Sequence, residues 1–126
     1  MTTPARAHLV LAVVLPILVL VQATLAGQHL FEGGSISLHG ILGNVTFTLT
    51  IVGVVLAAVR RCEAAVFFTA VALLALSFAQ VGLGYVGRET LTAAAWHIPV
   101  GVAIFGLSTF QLATVASQVR GGRPGR

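Results

Sequence analysis

The chain has 126 residues, 57% of them hydrophobic and only 8% charged, with a formal net charge of +4. A soluble domain of this size buries too little surface to hide that much apolar material, so lipid is the expected solvent and a water-soluble globular fold is excluded. The charge comes from arginines placed in tails and turns, with no lysine and no aspartate, which is the pattern of membrane topology rather than of nucleic-acid binding.

Residues 1–7 form a short polar lead. Residues 8–26 are almost wholly apolar, long enough to cross roughly 30 Å of hydrocarbon as a helix. The stretch is longer than a signal-peptide core, and Gln22 and Leu25 within it belong to the repeat described below, so it is expected to stay in the protein. Pro16 lies mid-span and is expected to kink it. Residues 27–36 read as a loop. Gly27 can end the first helix, Gly33 and Gly34 break any continuation, and Ser35 suits the cap of the next helix.

A second helix is expected over 37–59, stopping at Arg60 and Arg61. The turn at 60–63 is short, which makes the second and third helices antiparallel neighbours. The third helix covers 64–86. A loop at 87–90 follows, with Thr90 or Thr92 as cap, then a fourth helix over 92–117. The basic tail, 118–126, is expected to be disordered. The single cysteine, Cys62, leaves no internal disulfide and no cysteine-based metal cluster.

Arg6, Arg60, Arg61, Arg120, Arg123 and Arg126 all fall on one side of such a bundle, at the termini and the central turn. That side is expected to be cytoplasmic. The other side carries Arg88 with Glu32 and Glu89. Trp96 and Tyr85 lie near that outer interface, as belt aromatics do.

The two halves, 8–59 and 64–117, share a sparse pattern. Gln22, Leu25, His39, Gly43, Phe47 and Leu49 return as Gln80, Leu83, His97, Gly101, Phe105 and Leu107, each displaced by 58 residues. Polar residues are rare in this chain, so a glutamine and a histidine in register carry the weight. The reading is one transmembrane domain over 1–126, all-α. It is an integral membrane up-down four-helix bundle made of two repeated helical hairpins.

A duplication of this kind places equivalent residues opposite each other. His39 and His97 are therefore expected to face one another near the outer leaflet. Imidazole suits transition metals, and haem iron takes one axial ligand from each side. His39 and His97 are the candidate metal ligands, for one haem b. Gly43 and Gly101, one turn below each histidine, would leave room for the porphyrin, and Phe47 and Phe105 would wall it from below. Gln22 and Gln80 would reach a similar depth from the partner helices, and Arg88 is the candidate partner of a haem propionate. Each of these residues also has a plainer role. Buried glutamines often join helices, glycines allow close packing, and a loop arginine is normally solvated.

Pro99 follows His97 by two and has no counterpart near His39. Either the fourth helix starts near 98 with His97 outside it, or it starts at 92 and Pro99 kinks it. His29 has no repeat partner, so a second two-histidine haem is not expected. His8, at the cytoplasmic end, is expected to be solvated.

On His39, Gly43, His97, Gly101 and the duplicated hairpin, the chain resembles one half of a haem A synthase, and more loosely the small four-helix cytochromes of the b561 kind. The resemblance implies a haem b membrane protein handling electrons. The composition, rich in alanine, valine and glycine with arginine for lysine, is similar to that of high-GC bacterial proteins, which implies a bacterial cytoplasmic membrane. Two ligands would make the iron six-coordinate, which favours electron transfer over oxygen chemistry. The expected partners are membrane lipid and a quinone or larger redox complex, with a homo-oligomer possible. The alternative is a cofactor-free accessory subunit of a respiratory membrane complex. A small carrier or channel ranks third, because no Asp, Glu or Arg lies within the apolar spans to couple an ion.

Overall fold

The structure, a computed structural model, describes residues 1–121. Arg123 and Arg126, and with them the end of the basic tail, lie outside the described residues. Four helices follow one another: α1 (Thr3–Glu32), α2 (Ser37–Val59), α3 (Ala64–Val86) and α4 (Leu91–Arg120). The described residues contain no strand. All four helices are long and apolar enough to cross a membrane.

The second and third helices have the bounds expected from sequence; the outer two are longer. The helix α1 does not stop at Gly27. It runs on to Glu32 and ends at Gly33, whose φ of 71° is left-handed and whose N–H bonds the Gln28 carbonyl. A glycine inside a helix costs little when the chain on both sides is helical, whereas the left-handed residue ends it. The expected loop therefore shrinks to residues 33–36. Ser35 does assist α2, its hydroxyl accepting the Ser37 N–H at 3.2 Å, although Ile36 holds the cap position. The helix α4 starts after Thr90 and runs through Arg120, so the first residues of the expected tail are helical.

Both internal prolines lie within their helices, Pro16 in α1 and Pro99 in α4. His97 is thus inside α4. Each proline leaves one carbonyl of the preceding turn without its helical donor.

The α2–α3 turn closes as a left-handed cap on Arg61, at φ 48°. The Arg61 N–H bonds Ala58 O, and the Cys62 N–H bonds Ala57 O, both at 3.0 Å. These two bonds satisfy carbonyls that a helix end would leave open, which matters where no water can reach them.

Each helix packs against its two neighbours in the ring α1–α2–α3–α4, and the diagonal pairs α1/α3 and α2/α4 do not pack backbone to backbone. The buried positions repeat with the displacement seen in the sequence. On α2 they are Thr46, Thr50, Gly53 and Ala57; on α4 their equivalents Ile104, Ser108, Gln111 and Val115 are buried. On α1, His8, Leu11, Ala12 and Leu15 match Val66, Thr69, Ala70 and Leu73 of α3. The internal hydrogen bonds repeat as well. Thr50 donates to Phe47 O at 2.7 Å, and Ser108 to Phe105 O at 2.9 Å. The hairpin α1–α2 therefore stands to α3–α4 as one copy to another, about an axis down the bundle.

The outer surface suits lipid. Ile17, Leu20, Val55, Phe68 and Phe78 are each more than half exposed. The outward hydroxyls of Thr24, Thr48, Thr109 and Thr114 each donate to the carbonyl four residues back, leaving none to seek water.

Candidate functional site: a paired-imidazole cavity

His39 stands in the first turn of α2 and His97 in the second turn of α4, at the end of the bundle that carries the α1–α2 and α3–α4 turns. Their helices are diagonal in the ring, so the two side chains meet across its axis. The imidazole centroids are 5.9 Å apart, with ring planes tilted by 58°.

One hydrogen bond, made twice, holds this pair. His39 Nδ1 lies 3.0 Å from the Gln22 backbone carbonyl, and His97 Nδ1 lies 3.1 Å from that of Gln80. A carbonyl oxygen can only accept, so each Nδ1 carries the hydrogen and donates. In the neutral ring, Nε2 is then the bare nitrogen. Neither Nε2 makes a hydrogen bond among the described residues. This arrangement fixes ring orientation and tautomer for a metal at Nε2.

For each histidine to reach a main-chain carbonyl, the neighbouring helix must be thin one turn further on. That position is Ala26 in α1 and Gly84 in α3. A methyl group added at Gly84 would stand 3.1 Å from His97 Cε1. Sequence reading missed this pair, although glutamine followed by a small residue four later was a visible signal in both halves.

Gly43 and Gly101 line the cavity. The space beside them is taken by the glutamines: a Cβ at Gly43 would lie 3.4 Å from Gln22 Nε2, and one at Gly101 3.1 Å from Gln80 Nε2. Their first effect is thus to seat two amides. The Gln22 amide nitrogen donates to Thr46 Oγ1 at 3.5 Å. That hydroxyl gives its own hydrogen to Leu42 O, at 2.8 Å, so it can only accept, and the amide orientation follows. Ile104 replaces Thr46 in the second half, and Gln80 has no such anchor.

The cavity measures about 520 Å³, within the range of small-molecule and cofactor sites. Its walls are mainly apolar, with Phe47 and Ile104 on opposite helices. Phe47 packs on Phe78 with centroids 6.2 Å apart. Phe105, equivalent to Phe47, is not among the lining residues, so the expected phenylalanine wall is present on α2 alone, while Thr46 and its equivalent Ile104 both line the cavity.

Arg88, in the α3–α4 turn, lines the cavity at this end of the bundle. Its guanidinium lies 5.2 Å from the Tyr85 ring centroid, a cation–π contact, and one of its nitrogens lies 3.5 Å from where a Gly40 side chain would begin. The Tyr85 hydroxyl accepts from Asn44 at 3.3 Å. His29 donates through Nδ1 to Gly34 O at 2.6 Å, tying the α1–α2 loop.

His8 lies at the opposite end and is not solvated: it is 1% exposed. The helix α1 begins at Thr3, which places His8 more than a turn inside it, and Arg60 donates to its Nδ1 at 2.7 Å. Cys62 lies close by, its Sγ 3.9 Å from the same nitrogen. Burial, against the pull of Arg60, pushes the Cys62 thiol up, so it stays protonated at neutral pH.

Fold and site define a multi-pass four-helix membrane protein with a paired-imidazole cavity at one end. No protein-family model, characterised protein or solved structure matches the chain.

Proposed function

We propose that the chain is a small b-type cytochrome-like protein that holds one haem b between His39 and His97, for electron transfer. The observation that carries this reading is the doubled bond from Nδ1 to a main-chain carbonyl, which leaves two bare Nε2 atoms on facing rings. The two rings lie 5.9 Å apart across the bundle axis, so His39 and His97 would hold the haem iron between them. The 520 Å³ cavity around the pair, walled by apolar side chains, fits a planar macrocycle. When bound, the haem would supply a one-electron couple, and two histidine ligands would leave iron no open position for oxygen.

The other residues have positioning roles. Gln22 and Gln80 orient the imidazoles through their carbonyls rather than their side chains. Arg88, which lines the cavity, suits a propionate. The arginine distribution supports a reading with this end of the bundle at the outer leaflet and both termini cytoplasmic, and the composition supports a bacterial cytoplasmic membrane. One haem there cannot span the bilayer alone, so its electrons would pass to a quinone, an outer-face partner or a larger complex.

Detergent-purified protein should show a Soret band, lost in the His39→Ala, His97→Ala double variant. A colourless wild type that stays folded, or a band unchanged in the double variant, would contradict the proposal and favour a cofactor-free subunit.

A further inference from the structure

Haem in the cavity would leave three polar atoms unserved. Gln22 Oε1, Gln80 Oε1 and Ser77 Oγ are buried and have no hydrogen-bond partner. All three residues line the same cavity, on the diagonal helices α1 and α3. Ser77 is 3% exposed and lies one turn from Gln80 along α3.

Ser77 stands apart from its peers. The other buried hydroxyls, Thr46, Thr50, Thr69 and Ser108, each donate to a carbonyl of their own helix. Ser77 does not, so its hydrogen is free. The nearby donors point elsewhere: the histidine N–H groups go to main-chain carbonyls, and Asn44 to Tyr85. In a lipid-embedded bundle no bulk water reaches such an acceptor, so leaving it unserved is destabilising.

We infer that Gln22, Gln80 and Ser77 form a second binding site, below the histidine pair, for a small molecule bearing O–H groups. The balance of donors and acceptors defines it. Two amide oxygens call for two hydrogens, and the serine hydroxyl offers one in return. A water molecule matches this count, with three partners inside the usual two to four. A hydroquinone hydroxyl has a single hydrogen, so it would serve one amide oxygen while accepting from the serine, with the apolar walls taking its ring and a water serving the other oxygen. Either ligand joins α1 to α3, whose backbones do not pack against each other. The glutamine side chains are free for this role because the carbonyl bonds of the histidines use the main chain of Gln22 and Gln80; a hydroquinone ring would compete with haem for the same walls, whereas water would not.

The test is thermal unfolding of the purified full-length protein, wild type against Gln80→Met, with and without a short-chain hydroquinone. The methionine keeps the shape and the main-chain carbonyl that holds His97. A midpoint lowered by about 4 °C in the variant, with no effect of hydroquinone on either protein, supports the site with water in it. Hydroquinone stabilising the wild type but not the variant supports the site with that ligand. A Gln80→Met midpoint equal to or above wild type, with no hydroquinone effect, overturns the inference, since removing an unserved amide should then do no harm. The Soret band is read on the same samples, so loss of the haem reading and loss of this site are told apart.

Discussion

At the scale of single residues, the site depends on what is missing as much as on what is present. His97 reaches the Gln80 carbonyl because residue 84 has no side chain. A Gly84→Ala variant puts a methyl 3.1 Å from the ring, within the tightest tenth of real contacts, and should move the ring off that carbonyl. Gly82 lies two residues earlier on the same helix with nothing within 4 Å. Gly82→Ala should be neutral or stabilise by about 0.5–1 kcal/mol. We expect Gly84→Ala to lower the unfolding midpoint and weaken the Soret band where Gly82→Ala does neither. Equal behaviour of the two would mean that the carbonyl bond does not position His97. The histidines, glutamines and glycines were all legible in the sequence as a displaced pattern. Their contacts were not: the pattern suggested glycines clearing space for a porphyrin, and the structure puts the glutamine amides against them. A main-chain acceptor leaves no trace in residue identity, so the histidine–carbonyl bond could not be read from spacing.

At the scale of elements, two helices could be bounded from sequence and two could not. The bounds of α2 and α3 coincide with changes from apolar to charged or glycine-rich residues. Gly27 misled because it keeps the helical conformation, and the left-handed turn that ends α1 comes at Gly33 instead. The α2–α3 turn places an arginine where glycine is usual. A left-handed L-residue costs about 1–2 kcal/mol, so Arg61→Gly should raise stability by about 1 kcal/mol. Thermal unfolding checks this, and a lower midpoint would mean that the Arg61 side chain contributes more than its backbone costs. Pro99 breaks the repeat next to His97, yet the helix continues through it, and both histidines keep the same acceptor. The packing around the pair tolerates one lost helical bond.

At the scale of the whole molecule, burial, hydroxyl bonds and the histidine contacts all recur with one displacement, so the bundle is two hairpins about a common axis. The four-helix membrane architecture was legible in composition and hydropathy alone. The ring order, with α2 and α4 diagonal, is the one expected of an up-down bundle in which His39 and His97 face each other. Orientation is testable without the cofactor. In a Cys62→Ala background, Glu89→Cys should react with a membrane-impermeant maleimide on intact cells, and Glu63→Cys should react only after the membrane is opened. The reverse pattern would put the paired-imidazole cavity on the cytoplasmic side and refute the arginine rule for this chain.

The most direct test of the central claim is the ratio of haem b to purified polypeptide. The account predicts one haem per chain in the wild type and far less in the His39→Ala, His97→Ala variant, at equal helical content. No haem in the wild type, two per chain, or a ratio unmoved by losing both histidines would contradict it.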